Sequence, residues 1–317
     1  MFVSTSLWKH GNRLLRRQRL PSRTSILYHT TERLLLRAKL PDLLPRLEKQ
    51  VDLLSEKEEK LLNLLRTRSS DDDQISRNEC LSKLFDCYEE LGYYDYALQI
   101  LEEQQVATNS PLETADNLHK MGQLNLRLNR PVISRTQYEQ ALQIYRTEYA
   151  ETHPQRMARL LMSLAAWHFH VRHDYETSVD FLEQAETHCG DDHDLLARNY
   201  QHRGLVYRKM QDFANALKSY QRALDLSSDN SDNNFELLLN IADMHNALGE
   251  WSSAITGYEC LLQSLKDDDS IRAVLLHNLG KIQSQLGNYS NAESNLQESL
   301  RLKRHVRSAP SELAKTL

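Results

Sequence analysis

The 317-residue chain carries a formal net charge of −5 and only 9 Gly, 7 Pro and 4 Cys. That charge makes no general case for nucleic acid or an anionic membrane, and the scarcity of helix breakers points to a nearly all-helical protein without strands. No apolar run approaches the roughly 18 residues needed to cross a bilayer.

Residues 1–31 contain Lys9, Arg13, Arg16, Arg17, Arg19 and Arg23 and no Asp or Glu. On a helix, Val3, Leu7, Trp8, Leu14 and Leu15 share one side and the basic residues through Arg19 the other. This Arg-rich, acid-free, amphipathic start resembles a mitochondrial presequence; a basic tail or a membrane-surface helix would use the same residues. Residues 32–77 form the next segment. Between Pro45 and Arg68, an apolar stripe of Leu47, Val51, Leu54, Leu61 and Leu65 predicts a helix or helix pair covering the first repeat. Fewer than four heptads speak for a coiled coil instead. Ser69–Gln74, SSDDDQ, reads as a solvated linker.

From about residue 78 to 306 the chain repeats itself. Arg198–Leu226 reads as two helices folded on each other, with Gly204, Tyr207 and Met210 on one face of the first and Phe213, Ala216, Tyr220 and Ala223 at helical spacing on the second. The first-helix position of Gly204 recurs as Phe85, Gly122, Ala165, Ala242 and Gly280, at steps of 37, 43, 39, 38 and 38. A turn position recurs as Tyr94, Pro131, Tyr175, Phe213, Trp251 and Tyr289, and a second-helix small residue as Ala97, Ser134, Ser178, Ala216, Ala254 and Ala292. Three columns with one period signal a repeat array. The 43-residue step predicts longer helices or a longer loop between the second and third repeats. Short polar connections fall at Thr108–Pro111, Glu151–Pro154, Gly190–His193, Ser227–Asn234 and Lys266–Ser270. Beyond Leu302, the basic run LKRHVR and Pro310 predict a capping helix, with residues 307–317 as a tail.

The columns resemble the tetratricopeptide repeat, kept best in Gly204, Tyr207, Ala216, Tyr220 and Ala223. Repeats longer than usual, and the sequence Thr152–Pro154, resemble the kinesin-light-chain type. The resemblance implies an all-α, right-handed solenoid of about six repeats. Its first helices would line a groove that takes an extended peptide or partner protein, giving a non-catalytic scaffold or adaptor without cofactors. If the presequence operates, that scaffold would aid assembly of a mitochondrial complex. The competing readings are a cytosolic kinesin-light-chain-like cargo adaptor and an organellar RNA-binding helical repeat; the net charge and the lack of a two-residue base-reading code disfavour the second.

Other chemistry is thinly supported. His168, His170, His173, His188, Cys189 and His193 suggest a metal, but His168 and His170 diverge on a helix, and His168 falls in the column of Tyr207 and His245, where packing explains it. Cys80, Cys87, Cys189 and Cys260 show no paired metal spacing and read as thiols in a reducing compartment. Phosphate-loop and nucleophile-elbow motifs are absent from the sequence, so no enzyme is expected.

The first-helix wall is therefore the candidate site. Glu79, Asp86, Glu89 and Glu90 make it acidic in the first repeat, while Arg127, Arg159, Arg198, Arg208 and Lys209 make it basic in the middle, with His277 and Lys281 in the last. An extended ligand with acidic residues fits the middle. His202, Asn240 and Asn278 stand two residues before the small residue of their first helices. In the kinesin-light-chain type an Asn at that place grips the ligand backbone, which the resemblance carries to Asn240 and Asn278. A carboxamide both donates and accepts, so it can pair with a peptide N–H and C=O together. Lys83, Lys120, Ser163 and His202 interrupt that ladder and also argue against a carboxylate clamp for chaperone tails.

Overall fold

The computed structural model describes residues 74–149, 151–227, 231–265 and 268–313. The presequence-like segment, the segment before residue 74 that the sequence expects to be helical and the side chains of Glu79 and Cys80 lie outside that description. Among the described residues there are twelve α-helices, two π-helical turns and no strand. They form an all-α helical-repeat solenoid.

The chain divides into two compact units, Met1–Tyr93 and Tyr94–Leu317. In the first, helix α1 (Gln74–Leu91) buries Leu81, Leu84, Phe85, Tyr88 and Leu91, an apolar stripe at three- and four-residue spacing. The second opens with α2 (Tyr94–Ala107) and continues as five hairpins. These are α3 (Pro111–Arg127) with α4 (Pro131–Ile144), α5 (Pro154–Trp167) with α6 (Tyr175–Cys189), and α7 (His193–Lys209) with α8 (Phe213–Leu226). Then come α9 (Ser231–Ala247) with α10 (Trp251–Ser264), and α11 (Asp269–Gln285) with α12 (Tyr289–Leu313). Helix α9 begins inside the stretch expected to be loop. Helix α12 continues through Pro310 to Leu313 as the second helix of its own hairpin.

The two small-residue columns have a steric cause. Gly122, Ala165, Gly204, Ala242 and Gly280 are buried, as are Ala97, Ser134, Ser178, Ala216, Ala254 and Ala292. A Cβ on Gly204 would lie 2.6 Å from Tyr220, and one on Gly280 would lie 2.7 Å from Leu296. The hairpin backbones can approach only where side chains are minimal. Tyr94, Pro131, Tyr175, Phe213, Trp251 and Tyr289 are each the first residue of a second helix.

A fourth column sits two residues earlier. Gly92, Asn129, His173, Gln211, Gly249 and Gly287 all have positive φ, between 54° and 79°. At five of the six turns the next residue's N–H bonds back to the carbonyl five positions earlier, as in Asp212 N to Tyr207 O at 3.0 Å and Asn288 N to Gln283 O at 2.8 Å, and after the π turn Asp174 N reaches six positions back to His168 O at 3.1 Å. This is the left-handed termination that satisfies orphan helix carbonyls. A left-handed conformation costs a non-glycine residue about 1–2 kcal/mol, so Gln211→Gly should raise stability by about 1 kcal/mol in urea melts, net of glycine's extra unfolded entropy. The same change at exposed, helical Lys218 should lower it by about 1 kcal/mol. A loss at both positions would show that the turn is unstrained.

The irregular steps are local insertions. Ala165 and Ser178 stand 13 residues apart where the other hairpins have 12, and the extra residue is absorbed in a π turn, His168–Arg172. The 43-residue step contains a second π turn, Tyr145–Tyr149, which continues α4 before the chain reaches Pro154. Carboxylates then cap the helices where the polar connections end: Asp174, Asp192, Asp212 and Asp268 accept from backbone N–H groups of α6, α7, α8 and α11.

Candidate functional site

The first helices α3, α5, α7, α9 and α11 are stitched to one another by polar side chains on one wall. His119 of α3 bonds Ser163 of α5 through Nε2 and Oγ at 2.8 Å, and Gln123 reaches both side chains. In the next step, His202 of α7 lies within electrostatic reach of Arg198 on its own helix and of His170 on the π turn after α5. Arg208 of α7 donates to Asn240 Oδ1 of α9 at 2.9 Å. Asn278 of α11 donates from Nδ2 to Asp243 Oδ1 of α9 and to the Tyr258 hydroxyl, each at 3.4 Å, and that hydroxyl donates to Asp243 at 2.6 Å.

Asn240 and Asn278 thus occupy equivalent places and are half-buried, each bonded to a neighbouring first helix. Each keeps a complementary remainder, since among the described residues the Asn240 Nδ2 and the Asn278 Oδ1 have no hydrogen-bond partner. Arg198, His202, Lys209 and Lys281 are exposed. His277 is half-buried and stands near Lys281 and near Lys303 of α12. Arg127, expected in the basic middle, lies over the Tyr94 ring at 5.3 Å. In the first unit, Asp86 and Glu90 are exposed and Glu89 is half-buried.

Charge is unevenly compensated. Arg130, Arg135, Arg203 and Arg301 meet Asp95, Glu139, the Glu183 and Glu186 pair, and Glu298 respectively, and Arg156 meets Asp116. On the first-helix wall, Arg198 and Lys209 have no ion-pair partner among the described residues, and Arg208 faces a neutral amide. Arg159 meets Asp192 loosely, at 3.8 Å, while that carboxylate is already engaged in capping α7 through Leu195 N at 2.9 Å.

The imidazoles respond to this excess. Burial, and after it Lys120 and Arg159, push the His119 pKa down to about 4. His202 opens to solvent but is crowded by the surrounding protein; that crowding lowers its pKa first, and His170 and Arg198 add to it. Desolvation and then Lys303 and Lys281 lower His277. Burial raises the Asp243 carboxyl despite the Tyr258 hydrogen bond and Arg208. At neutral pH the wall therefore presents fixed Lys and Arg charges among neutral imidazoles.

Sequence reasoning passed over His119, Gln123, Asp243 and Tyr258, and weighed His170 only as a metal ligand. His119 meets Ser163 44 residues away, and Asp243 meets Tyr258 and Asn278 15 and 35 residues away, and no local pattern announces such pairs. The repeat columns carried the one available signal, because Ser163, His202, Asn240 and Asn278 share a column. His168, set aside as packing, lies between the Trp167 and Phe181 rings, with Nδ1 3.5 Å from Asp174.

A model of the tetratricopeptide repeat matches residues 156–229 and 234–305, which hold α6, α7, α8, α10 and α11 and most of α5, α9 and α12. Those residues belong to the tetratricopeptide-repeat family. Members of that family are generally non-catalytic scaffolds that bind proteins or peptides. Solved structures share the fold at low identity. BtubC (BKLC) from P. vanneervenii is 14% identical, with a TM-score of 0.57 over 68% of this chain and 90% of that one. Pseudomonas aeruginosa PilF is 19% identical, with a TM-score of 0.54 over 74% and 97%. A putative kinesin light chain from Podospora anserina, described as having nearly identical TPR-like repeats, is 13% identical, with a TM-score of 0.52 over 62% and 97%. YrrB, described as a TPR protein with an unusual peptide-binding site, is 16% identical, with a TM-score of 0.50 over 68% and 98%. No curated protein matches the sequence. No described helix is long and apolar enough to cross a membrane.

Proposed function

We propose that this tetratricopeptide-repeat chain is a non-catalytic scaffold that holds a partner protein by an extended, acidic segment laid across the first helices α3 to α11. The carrying observation is the imbalance of charge. Arg130, Arg135, Arg156, Arg203 and Arg301 are neutralised by carboxylates, whereas Arg198 and Lys209 stand exposed on the wall without ion-pair partners among the described residues. The family's general habit of binding proteins or peptides supports the same reading.

Asn240 and Asn278 grip the ligand backbone in this proposal, through the amide N–H of one and the amide oxygen of the other. The double substitution Asn240→Ala with Asn278→Ala should weaken partner binding by about 1 kcal/mol per lost bond. Calorimetric titration of the partner, identified by affinity purification of the tagged protein, measures this at unchanged melting temperature. Wild-type affinity in the double mutant would remove both residues from the site.

Residues 1–31 address the scaffold to mitochondria in the same proposal, where it would aid assembly of a larger complex. The support is their acid-free, Arg-rich amphipathic pattern. Deleting them should send a fluorescent fusion to the cytosol while helicity and melting temperature stay nearly constant. Continued import would end this part of the proposal, and co-purification of kinesin heavy chain would favour a cargo adaptor in its place.

A further inference from the structure

A cleft of about 330 Å³ opens where α2, α3 and α4 meet, and it shares no residue with the cationic wall. Leu98 of α2, only 6% exposed, lines it from within, and Ile133 of α4, half exposed, forms its apolar side. An ion pair closes one end, Arg130 Nη2 to Asp95 Oδ1 at 3.1 Å. Glu102 lines the cleft seven residues beyond Asp95 on α2, about 10 Å farther along the helix axis. Its carboxylate is exposed and has no hydrogen-bond or ion-pair partner among the described residues. Since Arg130 answers Asp95, the lining carries one unmatched negative charge.

A second unmet group lies deeper. Asn125 of α3 is only 3% exposed and stands at the place held by His168, Tyr207 and His245 in other repeats. Its Nδ2 donates to Met121 O at 3.1 Å and to Gln137 Oε1 at 3.0 Å, which uses both amide hydrogens. Its Oδ1 is left without a hydrogen-bond partner among the described residues, on a side chain that lines the cleft. A buried carbonyl oxygen left unmet is costly, so the cleft calls for a donor.

We propose that this cleft is a docking site separate from the wall, and that it seats one arginine side chain of a partner protein. A guanidinium presents five N–H groups in a fixed fork and so meets the Glu102 carboxylate and the Asn125 oxygen together, where a lysine offers a point charge. The aliphatic stem lies along Leu98 and Ile133. The volume is at the small end for ligand clefts, which suits one side chain better than a cofactor. Beside Ile133, Val132 is 76% exposed and offers an aliphatic shoulder to apolar residues flanking the arginine. The charge sought here is opposite to that sought by the wall, so the two sites stand or fall separately.

The probe is a labelled, amidated pentapeptide, Ala-Leu-Arg-Leu-Ala, with versions carrying citrulline or Lys in place of Arg. Fluorescence anisotropy with the full chain should show the Arg peptide binding at least about fivefold more tightly than either, because only it makes charge-assisted, forked hydrogen bonds. In NMR spectra of the isotope-labelled chain, the side-chain amide signals of Asn125 and Gln137 should shift saturably with it. Glu102→Gln, at an exposed position, should keep the wild-type melting temperature and abolish the advantage over citrulline. Asp225→Asn, an equal change of charge at an exposed position on α8, should preserve it. Equal binding of the citrulline peptide would overturn the charge match, and equal binding of the Lys peptide would overturn the guanidinium. An advantage that survives Glu102→Gln would overturn the placement. Absence of any saturable shift at Asn125 would mean a cleft filled by water alone and would overturn the site.

Discussion

Gly204→Ala should destabilise the array by about 2 kcal/mol, although alanine is the better helix former. The added Cβ would lie 2.6 to 2.8 Å from three atoms of the Tyr220 ring, and that ring is only 1% exposed, so it has nowhere to retreat. Overpacking at the top of its usual range costs about 3 kcal/mol, against about 1 kcal/mol regained by replacing a mid-helix glycine. The α5/α6 hairpin shows how the clash is relieved, because there Ala165 is followed by buried Leu182 in place of the tyrosine. Tyr220→Leu alone should cost about 2 kcal/mol as a truncation in the core, and the double variant should lose at least about 1 kcal/mol less than the two single changes added together. Lys218→Ala, on the exposed face of α8, should stay within about 0.5 kcal/mol of wild type. Additive losses in denaturant melts would mean that Gly204 and Tyr220 do not meet.

The α9/α10 hairpin solves the same steric problem from the other side. It has Ala242 opposite Tyr258, and its glycine moves to position 257 on α10, where a Cβ would sit 3.0 Å from that of Ala242. Close approach of two backbones requires a small residue but does not dictate which helix supplies it. The columns were legible in the sequence for that reason: sterics act at fixed places in every repeat. The two π turns left only a changed step, since an extra residue absorbed inside a helix preserves the apolar pattern on either side. The left-handed turn column showed itself at Gly92, Gly249 and Gly287 and was hidden at His173 and Gln211, where the repeat geometry holds residues that would not choose that conformation.

The wall was the least legible part. Arg203 occupies the place where other first helices carry Leu84, Met121, Leu164, Ile241 and Leu279, and only the structure shows it spanning Glu183 and Glu186 at 3.1 and 2.6 Å. Sequence marked Arg198, Arg208, Asn240 and Asn278 as a charged and amide face. It could not show that Arg208 would spend a hydrogen bond on Asn240, or that Asp243 would be shared between Tyr258 and Asn278.

Acidification should expose His119 as a weak point of the fold. Its pKa falls from 6.5 to about 4, first through burial and then through Lys120 and Arg159, so the folded chain binds its proton less readily than the unfolded chain. The resulting stability is fully present above about pH 6.5 and is lost as pH falls toward 4. At the limit of complete burial the shift is worth about 3 kcal/mol, and the part of the ring open to water reduces this to roughly 1–2 kcal/mol. His119→Gln keeps a neutral donor for Ser163 and cannot take a proton. It should match wild type within about 0.5 kcal/mol near pH 7 and exceed it by about 1 kcal/mol near pH 5, as read from urea melts at the two pH values. His202 and His277, also lowered, contribute to the acid loss of both proteins and cancel in the comparison. An equal loss of stability in wild type and His119→Gln on acidification would place the acid sensitivity elsewhere.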